Sequence, residues 1–419
     1  MFNQVKLSKE QWNLQTIWWR ENESEPLKEY WLTVVSFGLT SSAYLAVRCV
    51  IQAAREAQEI YPEAAKAIEN DYYMDDCVTG THMEQKAIEL AKNMDQILKG
   101  AGFELRKWKS NNKTVSKAMD SVMEKSMIFS EEDSSTILGL KWLIEKDQFT
   151  FIVKSPKIEG KLTKRKIASC VAQLYDPNGY ISPVIMIGRK IVQDLWKEKF
   201  EWDQEVSKDI QKRWEQFWTD IIQLEKFKIN RWIGTSDDCD IQIHGFADAS
   251  VIGYGTSIYV RVEHLNGKIT SSLLISKMRV APLKTVTIPR LELTAAEMLS
   301  RLYEQVKTSI EWNRIPYSLW SDSTITLHWI RKEPHSLKVF AANRVASIQE
   351  RTNIECWHHV DSSDNPADLV SRGLLPSDLV DNKLWLHGPE WLTKPRSSWP
   401  SERFIHKEPP GAEMLAEVK

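Results

Sequence analysis

The sequence has few cysteines and no long hydrophobic segment. Its 5 cysteines are scattered, and no two form a Cys-x-x-Cys pair, so neither a disulfide framework nor a zinc site is indicated. No apolar run approaches the ~18 residues that a membrane-spanning helix needs, and residues 1–13 are polar. These features argue against secretion and membrane insertion. They favour a reducing compartment inside the cell, cytoplasmic or nuclear.

The chain also lacks an excess of charge of either sign. It has 55 Lys and Arg residues against 57 Asp and Glu residues, so a nucleic-acid-binding surface requires local segregation of basic residues. Three basic stretches provide it, and we take these residues from them as candidate phosphate contacts: Arg106, Lys107, Lys164, Arg165, Lys166, Lys284 and Arg290. Basic stretches are often only solvated faces, but their position beside candidate metal sites favours phosphate contact.

Length and breaker residues predict the domain organisation. A chain of 419 residues with 42% hydrophobic content accommodates two or three domains with buried cores. Residues 162–217 have an amphipathic helical pattern, interrupted by the turn signal Asp176-Pro177-Asn178-Gly179. A second break follows Gly234, where alternating apolar residues open a new domain with a strand.

Two adjacent carboxylates, Asp75 and Asp76, follow Tyr73 and Met74 on a short turn between hydrophobic segments. Adjacent carboxylates repel one another unless a cation holds them, so this turn suits a divalent metal. An acidic hairpin turn without any metal is the simpler alternative. The segments around the turn favour the metal site.

Four further carboxylates have a pattern of their own. Strands are predicted over residues 241–248, 254–262, 269–276, 317–320 and 355–360, with one helix that contains Leu291 and another that opens at Pro366 behind Asn365 as N-cap. This order predicts an α/β (α+β) fold with a mixed five-stranded sheet and flanking helices. Asp248 and Asp322 then end strands, while Glu292 and Asp368 lie early in helices.

These four carboxylates can converge at one edge of the predicted sheet. A dry cluster of this kind is too repulsive to stay ionised, but it suits two Mg²⁺ (or Mn²⁺) ions roughly 3.5 to 4 Å apart, which could promote hydrolysis of a phosphodiester. Taken singly, each acid is more simply a helix cap or a surface charge. Their order along the chain makes coincidence a weak explanation.

The motifs that contain these acids resemble those of a ribonuclease H, and the chain as a whole resembles the polyprotein of Bel/Pao-type LTR retrotransposons. This family region is also labelled a Pao retrotransposon peptidase. The resemblance rests on motifs that occur in the family's order: Ser36-Phe37-Gly38, Tyr73-Met74-Asp75-Asp76, Phe246-Ala247-Asp248-Ala249-Ser250, Pro289-Arg290-Leu291-Glu292, Ser321-Asp322-Ser323-Thr324 and Asn365-Pro366-Ala367-Asp368-Leu369-Val370-Ser371-Arg372-Gly373.

The resemblance implies a fragment of a retroelement pol polyprotein. Its parts would be a partial reverse transcriptase palm (1–150), a helical region like a thumb or connection (151–234), a ribonuclease H-like domain (235–376) and a C-terminal tail that leads toward an integrase region (377–419). The implied activity is cleavage of RNA in an RNA/DNA hybrid, with Asp248, Glu292, Asp322 and Asp368 as metal ligands. Asp75 and Asp76 would be polymerase metal ligands, and Phe37 and Gly38 would border template and nucleotide.

Two departures from the family pattern limit this transfer. The stretch Met1 to Val5 looks like the residues just after the first polymerase aspartate, which predicts that this carboxylate lies outside the chain and that the polymerase part is inactive alone. Cellular ribonucleases H often have a histidine on the loop before the last aspartate. Here His358 or His359 is only a candidate for it, and both can instead be strand residues.

Three classes of function remain open at this point. A metal-dependent ribonuclease H attached to an incomplete reverse transcriptase is the leading one, with RNA/DNA hybrid and template-primer as partners. A retroelement-derived protein that binds nucleic acid without turnover is the second. An aspartic peptidase is the third, and the absence of Asp-Thr-Gly and Asp-Ser-Gly argues against it.

Overall fold

The computed structural model describes residues 1–122, 134–137, 139–153, 160–236, 238–310, 312, 314–400 and 417–418. It divides into two compact units, residues 1–138 with 144–146, and residues 139–143 with 147–419. Among the described residues, no helix combines the length and apolar character needed to cross a bilayer.

The first unit is mainly helical, with short strands. Its elements in chain order are β1 (Thr16–Trp19), β2 (Lys28–Trp31), α1 (Ser42–Glu56), α2 (Pro62–Asp71), β3 (Tyr72–Tyr73), β4 (Asp76–Cys77), α3 (Glu84–Gly100), α4 (Lys113–Val122) and β5 (Ser134–Ile137). Strands β1 and β2 pair antiparallel, as do β3 and β4. Apolar residues at helical spacing, such as Ala46, Val50 and Ala54 of α1, pack against α2 and α3 to form the core.

The second unit contains the sheet that the sequence predicts. Its elements are β6 (Leu140–Leu143), β7 (Gln148–Thr150), α5 (Lys164–Ala172), α6 (Ser182–Lys197), α7 (Lys208–Asp220), β8 (Ile229–Asn230), β9 (Asp240–Ala249), β10 (Gly253–Glu263), β11 (Ile269–Val280), α8 (Ile288–Ser309), β12 (Tyr317–Ser321), α9 (Thr324–Arg331), α10 (Val339–Arg351), β13 (Trp357–His359), α11 (Pro366–Arg372), α12 (Pro376–Leu379) and α13 (Lys383–His387).

Five of these strands form one mixed sheet in the order β11-β10-β9-β12-β13. Strands β9, β10 and β11 are antiparallel neighbours, whereas β12 runs parallel to both β9 and β13. This arrangement is consistent with a ribonuclease H-like fold and confirms the predicted mixed α/β class. A reverse transcriptase palm and thumb remain predictions.

Helices cover both faces of the sheet. Its strands are therefore buried more continuously than the strands of a sheet that has only one covered face. One face packs against α8, α9 and α10, and the other packs against α6, α11 and α13. All residues of β10 except Glu263 are buried. The second face shares one continuous core with α5 to α7, so the predicted boundary at 235 falls inside this unit.

Two strand glycines permit close helix packing. A Cβ at Gly245 would lie 2.7 Å from a methyl group of Leu299 on α8, and a Cβ at Gly255 would lie 2.2 Å from a methyl group of Val370 on α11. Glycine inside a strand often marks such a close approach. The two helices that approach here contain Glu292 and Asp368, so these glycines help to bring the acids to the sheet.

Candidate active site

Asp248 and Asp322 lie on neighbouring strands at the same edge of the sheet. Asp248 is the penultimate residue of β9, and Asp322 directly follows β12. Ala247 pairs with Ser321 in the parallel β9–β12 ladder, which places the two aspartates side by side. Asp248 is only 5% exposed.

Glu292 and Asp368 approach this edge from opposite faces. Glu292 is the fifth residue of α8, and Asp368 is the third residue of α11. Charge on each of these carboxylates raises the pKa of Asp248. The structure therefore brings all four predicted carboxylates into one electrostatic neighbourhood.

The electrostatics of this neighbourhood are unfavourable for ionised acids. Burial, followed by the charge of Asp322, raises the pKa of Asp248 to about 8, while a hydrogen bond from Ser371 opposes the rise. Burial also raises the pKa of Asp368, against the lowering effect of Arg372. Buried carboxylates with raised pKa values are typical of functional sites.

Asp368 has a close cation one helical turn away. The Nε atom of Arg372 lies 2.6 Å from Oδ1 of Asp368. Burial and the charge of Asp322 raise the pKa of Asp368, whereas both the charge of Arg372 and its hydrogen bond lower it. Asp368 is therefore held by Arg372 within the neighbourhood of the other acids.

Asn365 connects three of the acid-bearing segments. Its Oδ1 accepts a hydrogen bond from the backbone N–H of Ala367 and so caps α11, as the sequence predicts. Its Nδ2 donates to the backbone oxygen of Ala247 at 3.2 Å and to Oδ1 of Asp322 at 3.3 Å. One fully buried amide thus fixes the start of α11 against the ends of β9 and β12.

Two serines complete the hydrogen bonding of the aspartates. Ser371 Oγ donates to Oδ2 of Asp248, and Ser362 Oγ donates to Oδ2 of Asp322 at 2.6 Å. Neither role is predicted from the sequence. A signal for Ser371 is its position one helical turn after Asp368, on the same face of α11.

His358 and His359 both lie in β13, paired in register with Trp320 and Ser321 of β12. The His358 ring packs against Trp320 at a centroid distance of 5.0 Å. Both histidines are half-buried. This agrees with the alternative that they are strand residues.

The donor set fits a hard divalent cation in its chemistry. The four predicted ligands offer carboxylate oxygens, the donor atoms that Mg²⁺ and Mn²⁺ prefer. Within the part of the chain that is described, no three His, Cys, Asp or Glu side chains are close enough together to hold one ion. The other three acids therefore raise the pKa of Asp248, but the described side chains are not arranged around a common ion position.

Asp75 and Asp76 lie in the first unit, at the β3–β4 hairpin. Tyr73 pairs with Asp76, and Met74 adopts a left-handed φ of 57° in the turn. Both carboxylates are exposed. Phe37, also exposed, contacts Phe2 edge to face at 4.9 Å, and Gly38 has a φ of 84°. These observations fix local geometry and leave the predicted polymerase roles untested.

Lys164 is buried, although the sequence predicted a phosphate contact. Its Nζ lies 3.3 Å from the ring centroid of Trp196 and 5.0 Å from that of Trp202, and it donates to the backbone oxygen of Phe200 at 3.0 Å. Only 3% of Lys164 is exposed. The cation–π contacts and the hydrogen bond therefore compensate its buried charge inside the protein.

The other predicted phosphate contacts differ in their availability. Arg165 forms a two-point ion pair with Asp203, and Lys166 Nζ donates to the backbone oxygen of Lys161. Arg290 pairs with Glu417 at 2.6 Å. The remaining three lie on exposed surface, where Arg106 pairs with its neighbour Glu104: Arg106, Lys107 and Lys284.

Comparison with known proteins gives a family match for part of the chain. No curated protein matches the chain. Residues 163–323 match the model of a family described as Pao retrotransposon-like RNaseH-like domain. The matched segment begins at the N-cap of α5 and includes Asp248, Glu292 and Asp322, whereas Asp368 lies beyond it. The match supports a ribonuclease H region of the Pao retrotransposon type in this chain.

Proposed function

We propose that the second unit is a ribonuclease H that cleaves the RNA strand of RNA/DNA hybrids in the presence of Mg²⁺ or Mn²⁺. The observation that carries the proposal is the neighbourhood of Asp248, Asp322, Glu292 and Asp368, in which burial and like charge raise the pKa of Asp248 to about 8. Such a group of acids costs stability in the absence of cations. A functional requirement would account for its presence.

The roles of the side chains follow from their positions. Asp248, Glu292, Asp322 and Asp368 would hold two divalent ions, which supply activation of water and stabilisation of the leaving oxygen. Ser371 and Ser362 orient the carboxylates of Asp248 and Asp322. Arg372 holds Asp368 in place through their ion pair.

Cleavage of a labelled RNA/DNA hybrid by the full chain tests this proposal. Duplex RNA and duplex DNA serve as substrate controls, with Mg²⁺, Mn²⁺ or a chelator in parallel reactions. We expect hybrid-only, metal-dependent cleavage that Asp322→Asn removes and that Asp381→Asn, a change at an exposed aspartate, leaves intact. Cleavage that persists in Asp322→Asn would contradict the assignment.

A second candidate is a retroelement-derived protein that binds nucleic acid without turnover. The observation in its favour is that, over the residues described, no three candidate ligands are closed around one ion position. It predicts hybrid binding with no cleavage in any divalent metal. The same experiment therefore separates the two candidates.

We also propose that the β3–β4 hairpin belongs to a polymerase-like palm, with Asp75 and Asp76 as metal ligands. The support is a tight two-residue turn that presents both carboxylates to solvent. Calorimetric titration of the full chain with Mg²⁺ or Mn²⁺, compared with the double variant Asp75→Asn with Asp76→Asn, would test it. A titration that is unchanged in Asp75→Asn with Asp76→Asn would refute it.

A further inference from the structure

A cleft of about 290 Å³ in the second unit has an apolar floor and a basic rim. Ile191 and Phe217, from α6 and α7, are buried beneath it, and Ile252 of the β9–β10 turn borders it. Its three basic side chains come from three different helices: Lys190 of α6, Arg213 of α7 and Arg372 of α11. We call this the cationic cleft.

The cations of the cationic cleft are more exposed than the acid that pairs with two of them. Lys190 and Arg213 share Asp194, whose side chain is 14% exposed, while theirs are 28% and 40% exposed. Arg213 also forms a longer ion pair, at 3.8 Å, with Asp209, whose side chain is 78% exposed. Because Asp209 is largely solvated, its charge is screened and offsets that of Arg213 less than the charge of Asp194 does.

Arg372 of α11 adds a third cation to the cleft. Its guanidinium pairs with Asp368 through Nε and remains 66% exposed. A guanidinium has five N–H donors, and one ion pair through Nε leaves others available. A basic rim above an apolar floor matches a nucleotide, which has an anionic phosphate and a less polar sugar and base.

The cationic cleft is linked to the carboxylate edge through Arg372, which lines the cleft and pairs with Asp368. Arg372 directly follows Ser371, which donates to Asp248. Ser250 Oγ donates to the backbone oxygen of Ser371 at 2.7 Å and accepts from the N–H of Ile252 at 3.0 Å. These hydrogen bonds tie Arg372 and Ile252, which both line the cleft, to the segment that positions Asp248, so the cleft lies beside the carboxylate edge.

We propose that the cationic cleft binds a backbone phosphate of the nucleic-acid strand that passes the carboxylate edge, with the adjoining sugar on the apolar floor. The proposal rests on the ribonuclease function proposed above and specifies where its substrate continues beyond the scissile bond. None of the three cations is among the basic residues that the sequence predicts as phosphate contacts.

Hybrid binding by the full chain, measured over a range of salt concentrations in chelator, tests the cationic cleft without any need for cleavage. We expect Arg213→Gln to weaken binding and to reduce the log-log salt slope by ~0.7 to 0.9, the change for one lost phosphate contact. Lys212→Gln, an exposed neighbour on α7 that does not line the cleft, is the matched control and should keep the slope.

Asp194→Asn tests the proposal with a change that should strengthen binding, because it removes a negative charge beside the cleft. It frees Lys190 and Arg213 from their shared carboxylate, so it should tighten hybrid binding and steepen the salt slope. A purely structural role of these cations predicts weaker or unchanged binding instead. Thermal unfolding of each variant shows whether the fold is kept.

An unchanged salt slope in folded Arg213→Gln would overturn the proposal. So would Arg213-dependent binding of a nucleoside monophosphate that leaves hybrid binding unaffected, because the occupant would then be a free nucleotide. Arg213-dependent hybrid binding without cleavage in Mg²⁺ or Mn²⁺ would retain the cationic cleft and refute only the ribonuclease function.

Discussion

Replacement of Asn365 by aspartate tests the amide that joins β9, β12 and α11. Asn365→Asp keeps the cap, because an aspartate oxygen can still accept from the N–H of Ala367. It removes both hydrogen bonds that Nδ2 donates, to the backbone oxygen of Ala247 and to Asp322. It also places a new carboxylate against Asp322.

The expected loss follows from these contacts. A neutral hydrogen bond contributes about 1 kcal/mol and a bond to a charged group about 1.5 to 3 kcal/mol, so the free energy of unfolding at neutral pH should fall by roughly 2 to 4 kcal/mol. For a unit of this size, about 2 to 4 °C of melting temperature corresponds to each kcal/mol. The introduced carboxyl has a raised pKa in the folded state, so the loss should shrink as the pH is lowered.

Urea unfolding of Asn365→Asp at neutral and acidic pH provides the measurement, with hybrid cleavage recorded in parallel. Asn382→Asp is the matched control. Asn382 caps α13 by accepting from the N–H of Trp385 at 2.9 Å and is only half-buried, so its stability should change little. Wild-type stability of Asn365→Asp at neutral pH would refute the hydrogen bonding described for the Asn365 amide.

Three further predictions concern other buried polar groups. Asp248→Asn should lower hybrid cleavage more than ~100-fold with the fold retained, because ~1.4 kcal/mol of transition-state stabilisation is tenfold in rate and metal ligands contribute several kcal/mol. Burial, with smaller effects of nearby cations, lowers the pKa of His244 to about 3, so His244 takes up a proton on unfolding when the pH is below the ordinary histidine pKa. The wild-type protein should therefore lose stability as the pH falls from about 6.5 to 4. His244→Gln should lose less over the same range, as measured by urea unfolding. Lys164→Gln should lower the melting temperature without reducing the salt slope of hybrid binding, in contrast to Arg213→Gln.

The sheet and its acids could be predicted because their signals are local. Alternating apolar residues mark β9, and the spacing of Leu291, Ala295 and Leu302 marks α8. Asn365 followed by Pro366 marks the start of α11, and the structure confirms this cap. Strand ends and helix starts in a known order are sufficient to predict that their acids meet at one edge.

The environment of the basic residues could not be read from the sequence in the same way. Lys164 is surrounded by Trp196 and Trp202, which lie more than thirty residues further along the chain. No local pattern distinguishes it from an exposed lysine. The cationic cleft has the same origin, because Lys190, Arg213 and Arg372 become neighbours only when three helices pack.

The sheet also explains why the folded unit extends to both sides of residues 235–376. The apolar residues on both faces of this sheet must be covered, and the second face is covered by residues from before and after that range.

Buried hydrogen bonds also join the sheet to these flanking residues. Arg261 of β10, 1% exposed, donates to the backbone oxygens of Leu392 and Lys394. Trp385 Nε1 donates to the backbone oxygen of Tyr180 at 2.7 Å. These buried hydrogen bonds would be lost in a fragment limited to 235–376, and its apolar face would be exposed, so tests of the proposed ribonuclease activity require the whole second unit.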